Sequence, residues 1–329
     1  MSTSAPPVTP PPARPLFSVV VPSYGCASCL SALYDGLVAA LTPISPDFEI
    51  VLVEDHSPQG DWPAILGLAA RDRRVRGVKL SRNFGQHNAI AAGLAYAGGE
   101  WIVVMDCDLQ DRPEAIPQLY AKALEGFDCV FARRIDRQDP GVKVALSRLF
   151  SRIHGLFAGF KPDAAIGNFS VVSHRVAREL RHFRERERNY AIQVHWLGFP
   201  TAYVDVSHGA RHSGKSTYTL MRQLRHAIAT VLTQSTRPLY ASAIFGLTMA
   251  IGAGAAALYL VGRKLTTGFG VEGWTSVIVS VWFLFGVLFL NLGVIGLYLG
   301  SVFLQLKGLP PFVVERTTFE DERDGAHVR

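Results

Sequence analysis

The chain has 329 residues, 49% of them hydrophobic, and carries 33 Lys and Arg against 27 Asp and Glu for a net charge of +6. That length allows one large or two ordinary domains, and the hydrophobic share is high for a wholly water-soluble protein. A basic balance suits nucleic acid, an anionic membrane face or a phosphorylated substrate, and the sequence offers no recognition-helix or base-stacking motif for the first.

Residues 1–15 (MSTSAPPVTPPPARP) are dominated by proline and lack an apolar core segment, so a disordered leader is expected rather than a signal peptide. Residues 16–22 (LFSVVVP) form a first strand ending in Ser23-Tyr24-Gly25, and 29–41 have helical apolar spacing. A second strand, 48–53, stops at Glu54-Asp55-His56-Ser57-Pro58. A third, 75–80, is followed by Ser81-Arg82-Asn83-Phe84-Gly85-Gln86-His87 and a small-residue helix over 88–97. The apolar run 101–105, bounded by Gly98-Gly99, reads as a buried parallel strand ending in the acids of 103–111 (VVMDCDLQD). A helix opened by Pro113-Glu114 and a strand near 129–132 come next. This alternation predicts a mainly parallel sheet with helices on both faces, and ligands of such sheets sit beyond the carboxyl ends of the strands, where Tyr24, Asp55 and Asp106 fall.

Further along, 142–160 read as a helix, 168–172 as a strand, 181–188 (RHFRERER) as a solvated helix face and 201–206 as a strand. Residues 218–236 place Leu220, Leu224, Ile228 and Val231 on one stripe, as expected of an amphipathic helix in a membrane interface. Packing against the sheet domain would give the same stripe. Residues 239–261 and 274–306 hold no charged residue, and each is long enough to cross a hydrocarbon core of about 30 Å at about 1.5 Å per residue. Many of the cations lie at 175–237, just before the first apolar span, where an anionic membrane face would attract them.

The pair Asp106 and Asp108, with the amide oxygen of Gln110 nearby, is a set of hard oxygen ligands for a small divalent cation that takes its other ligands from water and a substrate diphosphate. That points to sugar-nucleotide chemistry. Cys26 and Cys29 have zinc spacing but lack a second Cys or His pair at matching distance, and four scattered cysteines make no disulfide framework. Two further motifs mislead. Residues 209–216 (GARHSGKS) match the phosphate-loop pattern, but two apolar spans follow where a triphosphatase core would need more parallel strands. A basic glycine-bearing lid over a diphosphate is the better reading. Residues 252–257 (GAGAAA) mimic a dinucleotide fingerprint inside a membrane-length run, where small residues serve helix packing.

The segments VVVPSYG (19–25), EIVLVEDHSP (49–58), LSRNFGQHNAIAAGL (80–94), VVMDCDLQDRPE (103–114) and RHSGKSTY (211–218), with the two apolar spans, resemble the polyprenyl-phosphate glycosyltransferases of family 2. Within that group, which includes dolichol-phosphate mannose synthases, the undecaprenyl-phosphate formamido-arabinose transferases are the most similar. The resemblance covers about residues 16–315. It implies an α/β, GT-A-type, mainly parallel nucleotide-binding sheet domain over 16–217, an interfacial helix over 218–237, a C-terminal two-helix transmembrane hairpin over 238–306 and a cytoplasmic tail over 307–329. It further implies inverting, Mg2+- or Mn2+-dependent transfer of a sugar from a UDP-linked donor to polyprenyl phosphate, by a multi-pass inner-membrane protein with a cytoplasmic catalytic domain, and a homo-oligomer such as a tetramer is expected. Pro22, Tyr24, Val53 and Asp55 would hold the nucleoside, and Asp106, Asp108 and Gln110 the cation. Arg133 or its neighbour Arg134 would approach the diphosphate, as would Arg211 and Lys215 on the lid. Arg222, Arg225 and Asn168 are candidates for the lipid phosphate.

The chain departs from the family pattern at three places: Gly25-Cys26 follow the first-loop tyrosine instead of an acid, Thr217 replaces a lysine, and Gly167-Asn168-Phe169 replaces Gly-Asp-Phe. Two other functions compete. A processive polysaccharide synthase would carry a Gln-x-x-Arg-Trp segment, and no Arg-Trp pair occurs. A membrane-anchored, non-catalytic binding protein would have no reason to keep Asp106, Asp108 and Arg211.

Overall fold

The computed structural model describes residues 14–134, 166–183, 189–206, 237–267 and 273–319. The chain divides into two compact units, one built on a sheet and one on two long helices. The sheet runs in the order β7-β5-β6-β4-β1-β2-β3-β8. Its strands are β1 (Phe17–Ser23), β2 (Phe48–Glu54), β3 (Val75–Leu80), β4 (Trp101–Val104), β5 (Cys129–Arg134), β6 (Ile166–Ser173), β7 (Thr201–Val206) and β8 (Val314–Thr317). The central pairs β4-β1, β1-β2 and β2-β3 are parallel, as is β5-β7, whereas β6 runs antiparallel to both β4 and β5.

Side-chain alternation splits the core into two layers. Val19, Val21, Ile50, Leu52 and Val103 face one way, against α1 (Leu30–Leu41), α2 (Trp62–Arg71) and α4 (Ile116–Ala123), which contribute Leu33, Leu37, Ile65 and Leu119. Val20, Val51, Val53, Ile102 and Val104 face the other, against α3 (Gln86–Tyr96), α5 (His174–His182) and α6 (Tyr190–Trp196). Strands buried on both faces read as continuous apolar runs, which is why these three were visible in the sequence. Helix α3 sits close to the sheet because residue 93 is glycine: a Cβ there would lie 2.3 Å from Val20 Cγ1. The close approach fixes where the first residue of α3 points.

The structure departs from the sequence reading in several places. Helices α2 and α6 were not anticipated, and the segment at Pro113–Ala115 is a 3-10 turn that feeds α4. Arg181 is not simply part of a solvated face: its guanidinium donates to the Leu94 and Ala97 carbonyls. Carbonyls at the end of α3 have no partner within their helix, so a cation there satisfies two needs at once. Residues 314–317, expected in a tail, form β8, antiparallel to β3. The helices expected at 142–160 and 218–236 lie outside the described residues.

In the second unit, α7 (Arg237–Thr267) and α8 (Trp274–Leu306) are joined by a hydrogen bond from Ser242 Oγ to Asn291 Oδ1. Both are long and apolar enough to cross a membrane, with qualifying stretches Leu239–Ala256 and Ser280–Leu306. Helix α7 continues past the uncharged run through Arg263 and Lys264. Large apolar side chains such as Trp282 and Phe289 are exposed along α8, which water would penalise and hydrocarbon would not.

Candidate active site

Register brings the site together. Ser23 pairs with Glu54 across β1 and β2, and Val20 with Val104 across β1 and β4, so the loops after all three strands leave the same edge of the sheet. On the antiparallel side Val104 pairs with Ser170, so continuing the register sets Asn168 opposite Asp106.

The first two loops are tied by a residue the sequence reading passed over. Asp61 is fully buried, and its Oδ2 accepts from Ser23 Oγ at 2.6 Å and from the Cys26 N–H at 3.1 Å, while its Oδ1 accepts from the Ala27 N–H at 3.2 Å. Ser57 adds a bond from the Gly25 N–H to its own Oγ at 3.0 Å. A Ser-x-x-x-Asp spacing after the acid-ended strand was the available signal. Between these anchored points Tyr24 projects outward, half exposed. Pro22 and Val53 are register partners buried within β1 and β2.

Asp55 is buried, and its two oxygens accept the Phe84 N–H at 2.7 Å and the Gly85 N–H at 2.8 Å. Burial pushes its carboxyl above the ordinary range, and those two backbone bonds pull it partly back. Asp55 therefore pins the loop that enters α3, whatever else it binds. Gly85 supplies the φ of +91° that the turn requires. Helix α3 then begins with Gln86, whose amide donates to Asp106 Oδ1 at 2.6 Å.

At the end of β4, Asp106 also receives a side-chain hydrogen bond from Asn168. Burial, then the charges of Asp111 and Asp108, push its carboxyl up to about 7. Asp108 closes a turn by accepting the Gln110 N–H at 3.1 Å, and Leu109 takes a φ of +62°, an unusual backbone for a residue with a side chain. Asp111, almost fully buried, accepts the Asp106 N–H at 3.3 Å and the Arg134 guanidinium at 3.2 Å. Gly167 leaves room for that guanidinium, since a Cβ there would sit 3.0 Å from it.

The alternation of β5 separates its two arginines: Arg134 turns to Asp111, whereas Arg133 bonds Asp205 at 2.6 Å. The arginine beside the aspartate loop is thus Arg134. The sequence reading found no disulfide framework among four scattered cysteines, but Cys26 is disulfide-bonded to Cys107, between the two aspartates, while Cys29 and Cys129 are free thiols. Asn168, a candidate for the lipid phosphate, is engaged with Asp106. Arg211, Lys215, Arg222 and Arg225 lie outside the described residues.

Among the described residues no three His, Cys, Asp or Glu side chains gather into a metal cage. The donor set nevertheless fits a cation that shares its coordination with a ligand and water. Asp106 and Asp108 are hard oxygen donors at the end of one strand, and burial, followed by the charges of Asp111 and Asp108, pushes the Asp106 carboxyl up, which a bound cation would offset.

The model for the family described as glycosyl transferase family 2 matches residues 18–189. The chain is 31% identical over 298 residues to an uncharacterized glycosyltransferase of Synechocystis sp., covering 90% of this chain and 94% of that one. It is 30% identical over 315 residues to the undecaprenyl-phosphate 4-deoxy-4-formamido-L-arabinose transferase of Shewanella sediminis, covering 94% and 95% respectively. Among solved structures it is similar to glucosyl-3-phosphoglycerate synthase from Mycobacterium tuberculosis in complex with Mn2+, UDP and phosphoglyceric acid, with a TM-score of 0.48 and 16% identity over 67% of this chain and 77% of that one. With its mainly parallel GT-A-like sheet and two candidate membrane spans, the chain belongs to glycosyltransferase family 2.

Proposed function

We propose that the protein transfers a sugar, with inversion, from a UDP-linked donor to a polyprenyl phosphate at the cytoplasmic face of a bacterial inner membrane. The observation that carries this reading is the convergence of the loops after β1, β2 and β4 on Asp106 and Asp108, in a chain that also holds two membrane-length helices. The relatives named for undecaprenyl phosphate support the acceptor class.

The residues divide the work by chemistry. Tyr24, with the backbones of Pro22 and Val53, faces the nucleoside, while Asp55 holds the loop beside it. Asp106 and Asp108, with the Gln110 amide, would hold Mg2+ or Mn2+, which supplies positive charge to neutralise the departing nucleoside diphosphate. Arg134 stands at the same edge of the sheet, and Arg211 and Lys215 are assigned to the diphosphate from the sequence pattern. The acceptor needs no protein base. A phosphate monoester has its second pKa at about 6, so at neutral pH its oxygen is already an anion that can displace the diphosphate in line.

Incubation of the full-length protein in detergent with labelled UDP-sugars and undecaprenyl phosphate, followed by solvent extraction, tests the reading. Label in the lipid phase that depends on both substrates supports it. Nucleotide binding without lipid-extractable label would instead favour the membrane-anchored binding protein.

A further inference from the structure

Cys26 lies on the loop after β1 with its N–H held by Asp61, and Cys107 lies between Asp106 and Asp108. The two are disulfide-bonded across 81 residues of sequence, with a Cα–Cα separation of 6.2 Å that suits a disulfide without movement of the backbone. The bond therefore joins the loop that presents Tyr24 to the loop that presents both acidic ligands. Fold stability gives no reason for it: two extended apolar cores already bury both faces of the sheet. Location does not explain it as a permanent staple either. On the side of a membrane where nucleotide sugars are made, thiols are kept reduced, and the disulfides that form there are mostly transient and regulatory.

We propose that Cys26 and Cys107 form a thiol–disulfide site that gates cation and donor binding. It exchanges with low-molecular-weight disulfides, and its linked form binds a divalent cation with a nucleoside diphosphate more weakly than its dithiol form. In the exchange, one protein thiolate attacks the small disulfide and expels one small thiolate. The second protein thiolate then attacks the mixed disulfide, forms the Cys26–Cys107 bond and expels the other. Two electrons pass from the protein to the small disulfide, which leaves as two thiols.

The gating follows from what the bond restrains. Asp106 Oδ1 is taken by Gln86, Asp108 is folded onto the Gln110 N–H, and Leu109 holds the turn at a φ of +62°. Turning these oxygens toward a shared cation requires residues 106–110 to shift, and the link fixes the residue between the two ligands to a neighbouring loop that Asp61 already anchors. Without the link the segment is free to adjust.

This inference rests on the donor-side reading above, and its test uses binding rather than turnover. Full-length protein in detergent is equilibrated across reduced-to-oxidised glutathione ratios. Thiol state is read by alkylation and peptide mass spectrometry, and Mn2+ uptake in the presence of UDP by electron paramagnetic resonance. The expected result is a Cys26–Cys107 cross-linked peptide whose yield follows the ratio, with Mn2+–UDP affinity lower in the linked form by on the order of tenfold, a usual size for coupling between sites. Cys26→Ala, which removes a sulfur outside the aspartate loop, should bind as the dithiol does at every ratio. Absence of the linked peptide at all ratios, or equal affinity in both forms, overturns the inference and leaves the transferase reading standing. Exchange of the pair with no Mn2+ uptake by either form overturns both.

Discussion

Asp111 holds Asp106 from behind, accepting its backbone N–H at 3.3 Å through one carboxylate oxygen while the other takes the Arg134 guanidinium at 3.2 Å. One buried side chain thus sets both Asp106, the first of the two aspartates proposed to hold the cation, and the nearest arginine. Asp111→Ala should leave the arginine unpaired and the amide unsatisfied. Arg134 keeps 29% of its side chain exposed, so water recovers part of the loss, and about 2 kcal/mol of destabilisation is expected, below the range for fully buried pairs. Asp111→Asn keeps an acceptor for the amide and should lose less stability, while still raising the donor KM because Arg134 is no longer held. Thermal unfolding in detergent and donor-dependent kinetics on both variants check this.

The charge that Asp106 and Asp108 share predicts dependence on a divalent cation. Asp108→Asn removes one anionic oxygen without adding volume, so the fold should persist while activity falls by on the order of 10²-fold or more, the usual scale for losing one electrostatic stabiliser. Full turnover in excess chelator, or in this variant, would refute the assignment. Circular dichroism on the same sample separates a lost ligand from a lost fold.

Much of this site was legible because buried parallel strands are apolar along their whole length, so Glu54-Asp55 and Asp106-x-Asp108 stood out as acids where a run stops. What stayed hidden depends on contacts between distant segments. The Ser57-x-x-x-Asp61 spacing marks a turn but does not reveal the ties to Ser23, Cys26 and Ala27, and nothing local to Arg181 says that it caps α3. Strand β8 has two charges in four residues and follows the membrane-length helices, so only its pairing with β3 reveals it. The choice between Arg133 and Arg134 needed the pleat of β5, which a one-residue uncertainty in register erases. The Cys26–Cys107 bond spans two loops whose proximity is set by the β1-β4 register.

His87 carries a pH signature. Burial holds its imidazole down to about 4, and its Nδ1 accepts the Tyr190 N–H at 3.4 Å, which requires the ring to be unprotonated there. An unfolded chain protonates the same ring near 6.5, so between 6.5 and 4 the unfolded state binds the extra proton and this contribution to stability is lost as pH falls, by about 1.4 kcal/mol per unit. Asp106, raised to about 7, acts in the opposite direction over the same interval, because there the folded state binds the extra proton. The wild-type profile mixes the two. The difference in Tm between wild type and His87→Gln isolates the histidine, and wild type should lose ground to the variant as pH drops from 7 to 4. A constant difference would show that the ring titrates normally.

Strand β8 covers an edge. Ser81 N–H bonds the Val313 carbonyl at 2.9 Å, Gly77 N–H bonds Thr318 Oγ1 at 2.8 Å, Lys79 pairs with Glu315 at 2.9 Å and Arg76 stacks over Phe319 at 4.0 Å. Truncation after Leu309 should strip these partners from β3 and leave an unpaired edge that invites association between chains. Lower Tm and a shift to larger species in size-exclusion chromatography are expected. A truncated protein that stays monodisperse with unchanged Tm would show that β8 contributes nothing to the sheet.

Asn168 decides whether the chain needs a base. It stands where similar transferases often have an acid, and in this structure its side chain bonds Asp106. An amide cannot accept a proton usefully near pH 7, so a mechanism that needed general-base help here would give a dead enzyme. An acceptor phosphate that is already an anion removes that need. Asn168 is then left to position Asp106, donating its N–H to a carboxylate burdened by Asp111 and Asp108. Asn168→Ala deletes one of the donors to Asp106 but leaves the Gln86 bond at 2.6 Å, so the loss should be modest, about tenfold or less, and should show in metal affinity more than in kcat. The acidic limb of the pH–rate profile should then follow ionisation of the lipid phosphate at about 6 and stay in place in the variant. A loss well beyond about 10³-fold in Asn168→Ala, the upper end for one oxyanion-type contact, or an acidic limb that moves in the variant, would mean that a protein group takes the proton after all.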